Sequence, residues 1–158
     1  MPDYYVHVKF QNQTINMLDT NLDTDASILE IRIFLSNLLG FPLSIFRLKY
    51  LNNETNKTID LFDCWSLKYY GLNKKCTFIL ETWQGWETFL THCIKGFTKQ
   101  CIKAMSSDEL IRQYQMKVAL YISAHYGNFE LASTLIMVHG VRADRPGKKS
   151  IFNCNLLK

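Results

Sequence analysis

The apolar period changes once along this chain, near residue 82, and that change restricts it to folds joining a strand-rich unit to a helical one. Upstream, Tyr4, Val6, Val8 and Phe10 alternate with Tyr5, His7 and Lys9, the period of a half-buried strand. Gln11-Asn12-Gln13 reads as a tight turn and residues 14–18 as a returning strand. Asp23, Thr24 and Asp25 offer N-caps to a helix carrying Ile28, Ile31, Leu35, Leu38 and Leu39, which Gly40 and Pro42 end. Residues 46–51 alternate again, 52–57 form a polar loop, 60–70 have no regular period beyond a helical turn near 66–70, and 76–80 read as a last strand. Strands packed on one helix within about 80 residues make a small α+β unit.

Downstream, Trp86, Phe89, Leu90, Cys93, Ile94, Phe97, Cys101 and Met105 step by three and four, predicting one helix over 86–105. Ser106 with Glu109 forms a capping-box pattern before a second helix bearing Leu110, Ile111, Tyr114, Val118, Tyr121 and Ile122 and stopping at Gly127. The spacing leaves open whether this helix breaks near Met116. Phe129, Leu131, Ala132, Leu135, Ile136 and Val138 mark a third, ending at Gly140. Beyond Val141 the chain is basic and polar, and 151–158 have no pattern.

Charge divides at the same place. Residues 1–81 carry 8 Lys/Arg against 9 Asp/Glu and residues 82–158 carry 10 against 5, so the net charge of +4 resides in the second half. Such asymmetry indicates two units with different surfaces. The start, MPDYYVHVKF, lacks the basic-then-apolar order of a signal peptide, and no apolar run spans a membrane. With an odd number of cysteines (64, 76, 93, 101 and 154), this predicts reduced thiols and an intracellular chain, cytoplasmic or nuclear and not secreted. The Asn-x-Thr sequons at Asn12, Asn53 and Asn56 are then chance matches.

The first half resembles ubiquitin. The match runs through Val6-x-Val8-Lys9, Ile28-x-x-Ile31-x-x-x-Leu35, Gly40-Phe41-Pro42, Phe46-Arg47-Leu48-x-Tyr50, Leu67-x-x-Tyr70-x-Leu72 and Thr77-Phe78-x-Leu80. It covers residues 4–82 and implies a β-grasp fold. The departures bear on function. The last strand continues into Glu81-Thr82-Trp83-Gln84-Gly85-Trp86 without the Gly-Gly end, so the resemblance implies a built-in domain that is not conjugated. Ubiquitin's apolar recognition patch is replaced by Lys49 at its centre and Glu81 on the last strand, and burying a lysine costs desolvation.

The second half resembles an ankyrin repeat over 116–147, through Ala119-Leu120-Tyr121-Ile122-Ser123-Ala124-His125-Tyr126-Gly127-Asn128-Phe129-Glu130-Leu131 and Leu135-Ile136-x-x-His139-Gly140. Val118-Ala119 stands where ankyrin repeats have Thr-Pro, and Tyr121 where they have His. Repeats of this length need neighbours to bury their faces, and the helical segment before residue 116 is expected to serve as an atypical cap. The order resembles the ankyrin repeat and ubiquitin domain-containing family, whose members are longer. That implies a short or truncated form, with 151–158 a divergent tail. The expected organisation is a ubiquitin-like domain over 1–83, a connecting helical segment over 84–115, an ankyrin-type repeat over 116–147 and an irregular tail over 148–158.

Two chemistries compete with this reading. A thiol hydrolase or transferase of ubiquitin chemistry would use Cys93 with His92 or Cys101 with His125. Neighbours on a helix point about 100° apart, however, and both cysteines sit on the apolar stripe, so core packing is expected. Scattered thiols without Cys-x-x-Cys give no zinc site. Lys95, Lys99 and Lys103 would line a polar helix face, and Arg142, Arg145, Lys148 and Lys149 form a basic cluster. Nucleic acid is set aside for a solvated face, with nuclear import a weak second reading of the cluster. The expectation is thus a non-enzymatic adaptor that docks other proteins, with no cofactor, metal or small-molecule substrate. Its contact candidates are Lys49, Glu81, Tyr121, His125, Tyr126 and Asn128.

Overall fold

The computed structural model describes residues 4–17, 23–72 and 76–143. Five strands, β1 (Tyr4–Val8), β2 (Gln13–Asn16), β3 (Phe46–Asn52), β4 (Lys57–Asp60) and β5 (Cys76–Thr82), form one sheet in the order β2-β1-β5-β3-β4. The first and last strands lie side by side and parallel at its centre, Val6 opposite Phe78 and Val8 opposite Leu80, while the outer pairs are antiparallel. The helix α1 (Ile28–Leu39) turns Ile28, Ile31, Leu35 and Leu39 into the core that also holds Val6, Val8, Leu48, Phe78 and Leu80. A central parallel pair made by the two ends of the unit, with one helix packed into the same core, is a β-grasp.

Local chemistry fixes α1 where the sequence only bracketed it. Ser27, not the acidic residues before it, is the N-cap. Its Oγ accepts from the Glu30 N–H at 3.2 Å while its own N–H donates to Glu30 Oε2 at 2.7 Å, a reciprocal capping box. Arg32 leaves the same helix inward, donating to Asp63 Oδ2 at 2.6 Å and to the carbonyls of Phe46 and Leu43. That side chain ties α1 to the start of β3 and to the loop after β4.

The helical half is α2 (Glu87–Lys95), α3 (Thr98–Lys103), α4 (Glu109–Tyr126) and α5 (Phe129–Met137). The single helix expected over 86–105 is two. Gly96 takes a left-handed conformation (φ 70°) that ends α2, and a Cβ there would stand 2.8 Å from Asn128 Oδ1. The apolar spacing runs through that break because both pieces face the same core, so periodicity does not reveal it. The break also divides the lysines: Lys95 ends α2, whereas Lys99 and Lys103 lie on α3. Asp108, rather than Ser106, caps α4 by accepting from the Leu110 and Ile111 N–H groups at 3.0 and 3.1 Å. The helix then runs unbroken past Met116. Residues 57–60, expected in and after a loop, form edge strand β4 because β3 is long enough to template them. The return strand is Gln13–Asn16, following a 3-10 turn at Lys9–Gln11.

The hairpin α2–α3 packs against the hairpin α4–α5, first helix on first and second on second. Leu90, Cys93, Cys101, Val118, Ile122, Leu131 and Leu135 belong to the same continuous buried cluster as the β-grasp residues. Arg145, Lys148, Lys149, Cys154 and the 151–158 tail lie outside the described residues. Among the described residues no helix is long and apolar enough to cross a membrane.

Candidate interaction surface

The alternation of β3 and β5 turns Arg47, Lys49, Ile79 and Glu81 to the sheet face opposite α1. Glu81 is the centre of that face. Its carboxylate meets Lys49 Nζ at 2.9 Å, Arg47 Nη2 at 2.8 Å and Lys9 Nζ at 3.2 Å, while Arg47 also reaches Asp60 at 3.9 Å. The hydrogen bond from Lys49, followed by those from Arg47 and Lys9, outweighs partial burial and holds the Glu81 carboxyl at about 2. Lys49 and Glu81, expected as contact residues, are therefore brought together. This part of the sheet is a network of paired charges in place of an apolar patch.

The candidates on α4 and after it are held by the rest of the protein. Tyr126 Oη donates to the Leu39 carbonyl at 2.8 Å. The His125 ring stands against Gly40, whose missing Cβ makes room for it, and sits edge-on to Tyr126 with centroids 4.9 Å apart. Three turns earlier on that face, Tyr114 Oη bonds Ser44 Oγ, and Trp83 Nε1 donates to the Ser44 carbonyl at 2.9 Å. Helix α4 thus abuts the C-terminal end of α1 and the turn after it. Asn128 Nδ2 donates to the Cys93 and Ile94 carbonyls at 2.8 and 3.1 Å, satisfying the open end of α2. Tyr121 is 45% exposed.

The third helical pattern contains a further surface. Of the apolar residues that mark it, only Leu131 and Leu135 of α5 are buried. Phe129 and Met137 are 83% and 80% exposed, and Ile136 and Val138 are exposed beside Met137. Phe129, Ile136 and Met137 stand at i, i+7 and i+8, one stripe of α5. The signal was present as an apolar band wider than two buried positions need. A second exposed group, Phe62, Trp65 and Tyr69, follows β4, with the Trp65 and Tyr69 rings stacked at 4.0 Å. Trp83, Trp86, Leu110, Ile111 and Tyr114 line an apolar hollow of about 270 Å³ where β5 leads into the helices.

The thiols lie elsewhere. Cys93 and Cys101 are fully buried with their sulfurs 3.0 Å apart. The hydrogen bond to Cys101, then burial, pushes the Cys93 thiol far above its ordinary range. Burial alone raises Cys76 to about 12. Among the described residues no three His, Cys, Asp or Glu side chains gather as a metal site.

No family model matches the chain. Over 130 residues it is 28% identical to a curated human protein. The chain is similar to Protein ANKUB1 of Homo sapiens. The match covers 82% of this chain and 25% of Protein ANKUB1, so the chain spans about a quarter of that relative. Among solved structures, the C-terminal ubiquitin-like domain of mouse tubulin-specific chaperone e overlaps 52% of this chain and 86% of its own at 19% identity and a TM-score of 0.46. A designed protein based on ubiquitin overlaps 52% and 89% at 18% identity and 0.41. The strand order described above assigns the β-grasp; the similarity to Protein ANKUB1 extends beyond it into the helices.

Proposed function

We propose that this chain is a non-enzymatic interaction module in which a non-conjugated β-grasp unit (1–83) supports a helical unit comprising a connecting segment (84–115) and an ankyrin-type repeat (116–147), with its partners being other proteins. The observation that carries the proposal is the α5 stripe of Phe129, Ile136 and Met137 with Val138, all exposed. Apolar side chains exposed together along one helix face mark a candidate protein contact surface. Tyr121, exposed on the neighbouring helix, extends the contact surface; Lys49 and Glu81 form its polar counterpart on the sheet. His125, Tyr126 and Asn128 support that surface through their contacts to Gly40, Leu39 and α2. Two observations favour this reading over a thiol enzyme. The Cys93 and Cys101 sulfurs are buried against each other, and the hydrogen bond to Cys101 together with burial raises rather than lowers the proton affinity of Cys93.

Proximity labelling in cells with the full chain and with a Phe129→Ser/Met137→Ser variant tests it. The proposal expects a set of labelled proteins that the variant loses while its melting temperature stays within about 1–2 °C, as for surface substitutions. Identical labelling would overturn the assignment of this surface. Covalent capture of one cysteine by a ubiquitin-derived electrophile would replace the adaptor reading by the thiol enzyme.

A further inference from the structure

Cys93 lies in the last turn of α2, three residues before Gly96, and Cys101 sits on α3, the helix that follows the turn. Turning the chain at Gly96 lays α3 back against α2 and brings both sulfurs to 3.0 Å, with neither side chain exposed. Each thiol's polar neighbour is the other. A disulfide needs its sulfurs at about 2 Å, so closure asks for an approach of about 1 Å between two side chains already aimed at each other. We infer that Cys93 and Cys101 form a two-electron redox-modification site, an intrachain disulfide that staples α2 to α3, and that the class of co-reactant is a low-molecular-weight disulfide of the glutathione type.

The exchange balances in two steps. One cysteine, deprotonated, attacks a sulfur of the oxidised co-reactant, forming a mixed disulfide and releasing one glutathione thiolate. The second cysteine, also deprotonated, attacks the protein sulfur of that mixed disulfide, forming the Cys93–Cys101 bond and releasing the second thiolate. The two cysteines lose two electrons and two protons, and one glutathione disulfide becomes two thiols.

Both sulfurs are buried out of reach of a dissolved disulfide in the closed hairpin, so exchange proceeds from a local opening of the turn. The turn carries features that favour such an opening. Helix α3 has six residues, its N-cap Phe97 provides no side-chain bond, and Thr98 Oγ1 and His92 Nδ1 are buried without a hydrogen-bond partner on either side of the turn. Cys64, exposed in the β-grasp half, serves as an internal reference for reagent access.

The test incubates the full chain with oxidised glutathione, quenches with acid, unfolds, alkylates the remaining thiols and maps the peptides by mass spectrometry. The inference expects Cys93 and Cys101 to leave the alkylated pool together, one for one, and to appear as one linked peptide lighter by two hydrogens. Dithiothreitol restores both sites. A Cys101→Ser variant should leave Cys93 either alkylated or carrying a stable glutathione adduct, with no linked peptide. If that variant does not fold, the unmodified chain still decides. Cys93 and Cys101 remaining fully alkylated after Cys64 has been glutathionylated would overturn the inference. So would linkage of either one to a different cysteine, or a mixed disulfide at one of them that the other never resolves.

Discussion

The imidazole of His125 occupies the space that a Cβ on Gly40 would need. Gly40 also ends α1 in a left-handed conformation, φ 70°. Two separate costs therefore attend Gly40→Ala. The backbone strain is about 1–2 kcal/mol, and the steric overlap adds about 1–3 kcal/mol. Urea unfolding should show the sum. The double variant Gly40→Ala/His125→Ala should recover the part of the steric cost that the ring causes, while the Cβ of residue 125, 2.8 Å away, and the backbone part remain; simple additivity of the two single changes would refute the contact.

The same interface holds two hydroxyls. Tyr126→Phe removes the bond to Leu39 and Tyr114→Phe the bond to Ser44, each at an expected cost of about 1 kcal/mol. Because these bonds join α4 to the β-grasp half, both halves should lose stability equally. Hydrogen exchange read separately on α4 and β5 would check this; a drop confined to α4 would mean that the halves unfold independently.

Asn128→Ala leaves the Cys93 and Ile94 carbonyls without their side-chain donor. The expected loss is about 1–2 kcal/mol. Asn128→Asp should cost more, because a carboxylate would face two carbonyl oxygens. Thermal melts of the three proteins should rank them in that order.

Glu81 gives the acid limb of stability. Its folded carboxyl titrates near 2, below the ordinary 4.5. A lowered carboxylate stabilises the fold above its unfolded value, and that contribution disappears as pH falls through the folded one. The window is therefore about pH 4.5 down to 2, and the loss, reduced by solvent screening of the exposed Lys9 and Arg47, is roughly 1–2 kcal/mol. Glu81→Gln should destabilise the chain at pH 7, leaving Lys9 and Lys49 without this carboxylate and Arg47 with Asp60 alone, and should flatten the profile between those pH values. An unchanged profile in urea titrations from pH 7 to 2 would show that the network contributes nothing.

Strands β1, β3 and β5, α1 and the helix ends at Gly40 and Gly127 were legible because each depends on contacts a few residues apart: alternation, three-four spacing and a glycine at the stop. The Ser27–Glu30 box was equally local but was overshadowed by Asp23, Thr24 and Asp25. Residues 57–60 and the break at Gly96 were not legible. The first needs β3 as a neighbour, and the second interrupts backbone bonding without interrupting the apolar stripe. On the surface, Lys49 and Glu81 could be named from a position match, yet their union with Lys9 and Arg47 depends on three strands meeting side by side.

What the sequence determined alone was the change of period and charge at residue 82, and with it a small α+β unit followed by helices. Periodicity is written by burial within each element and needs no partner to be read. Which apolar residues stay exposed was decided by the tertiary structure. Leu131 and Phe129 are both apolar members of one helical pattern, but the first is fully buried and the second lies outside. Only the packing of α5 against its neighbours separates a core position from a surface that can receive another protein.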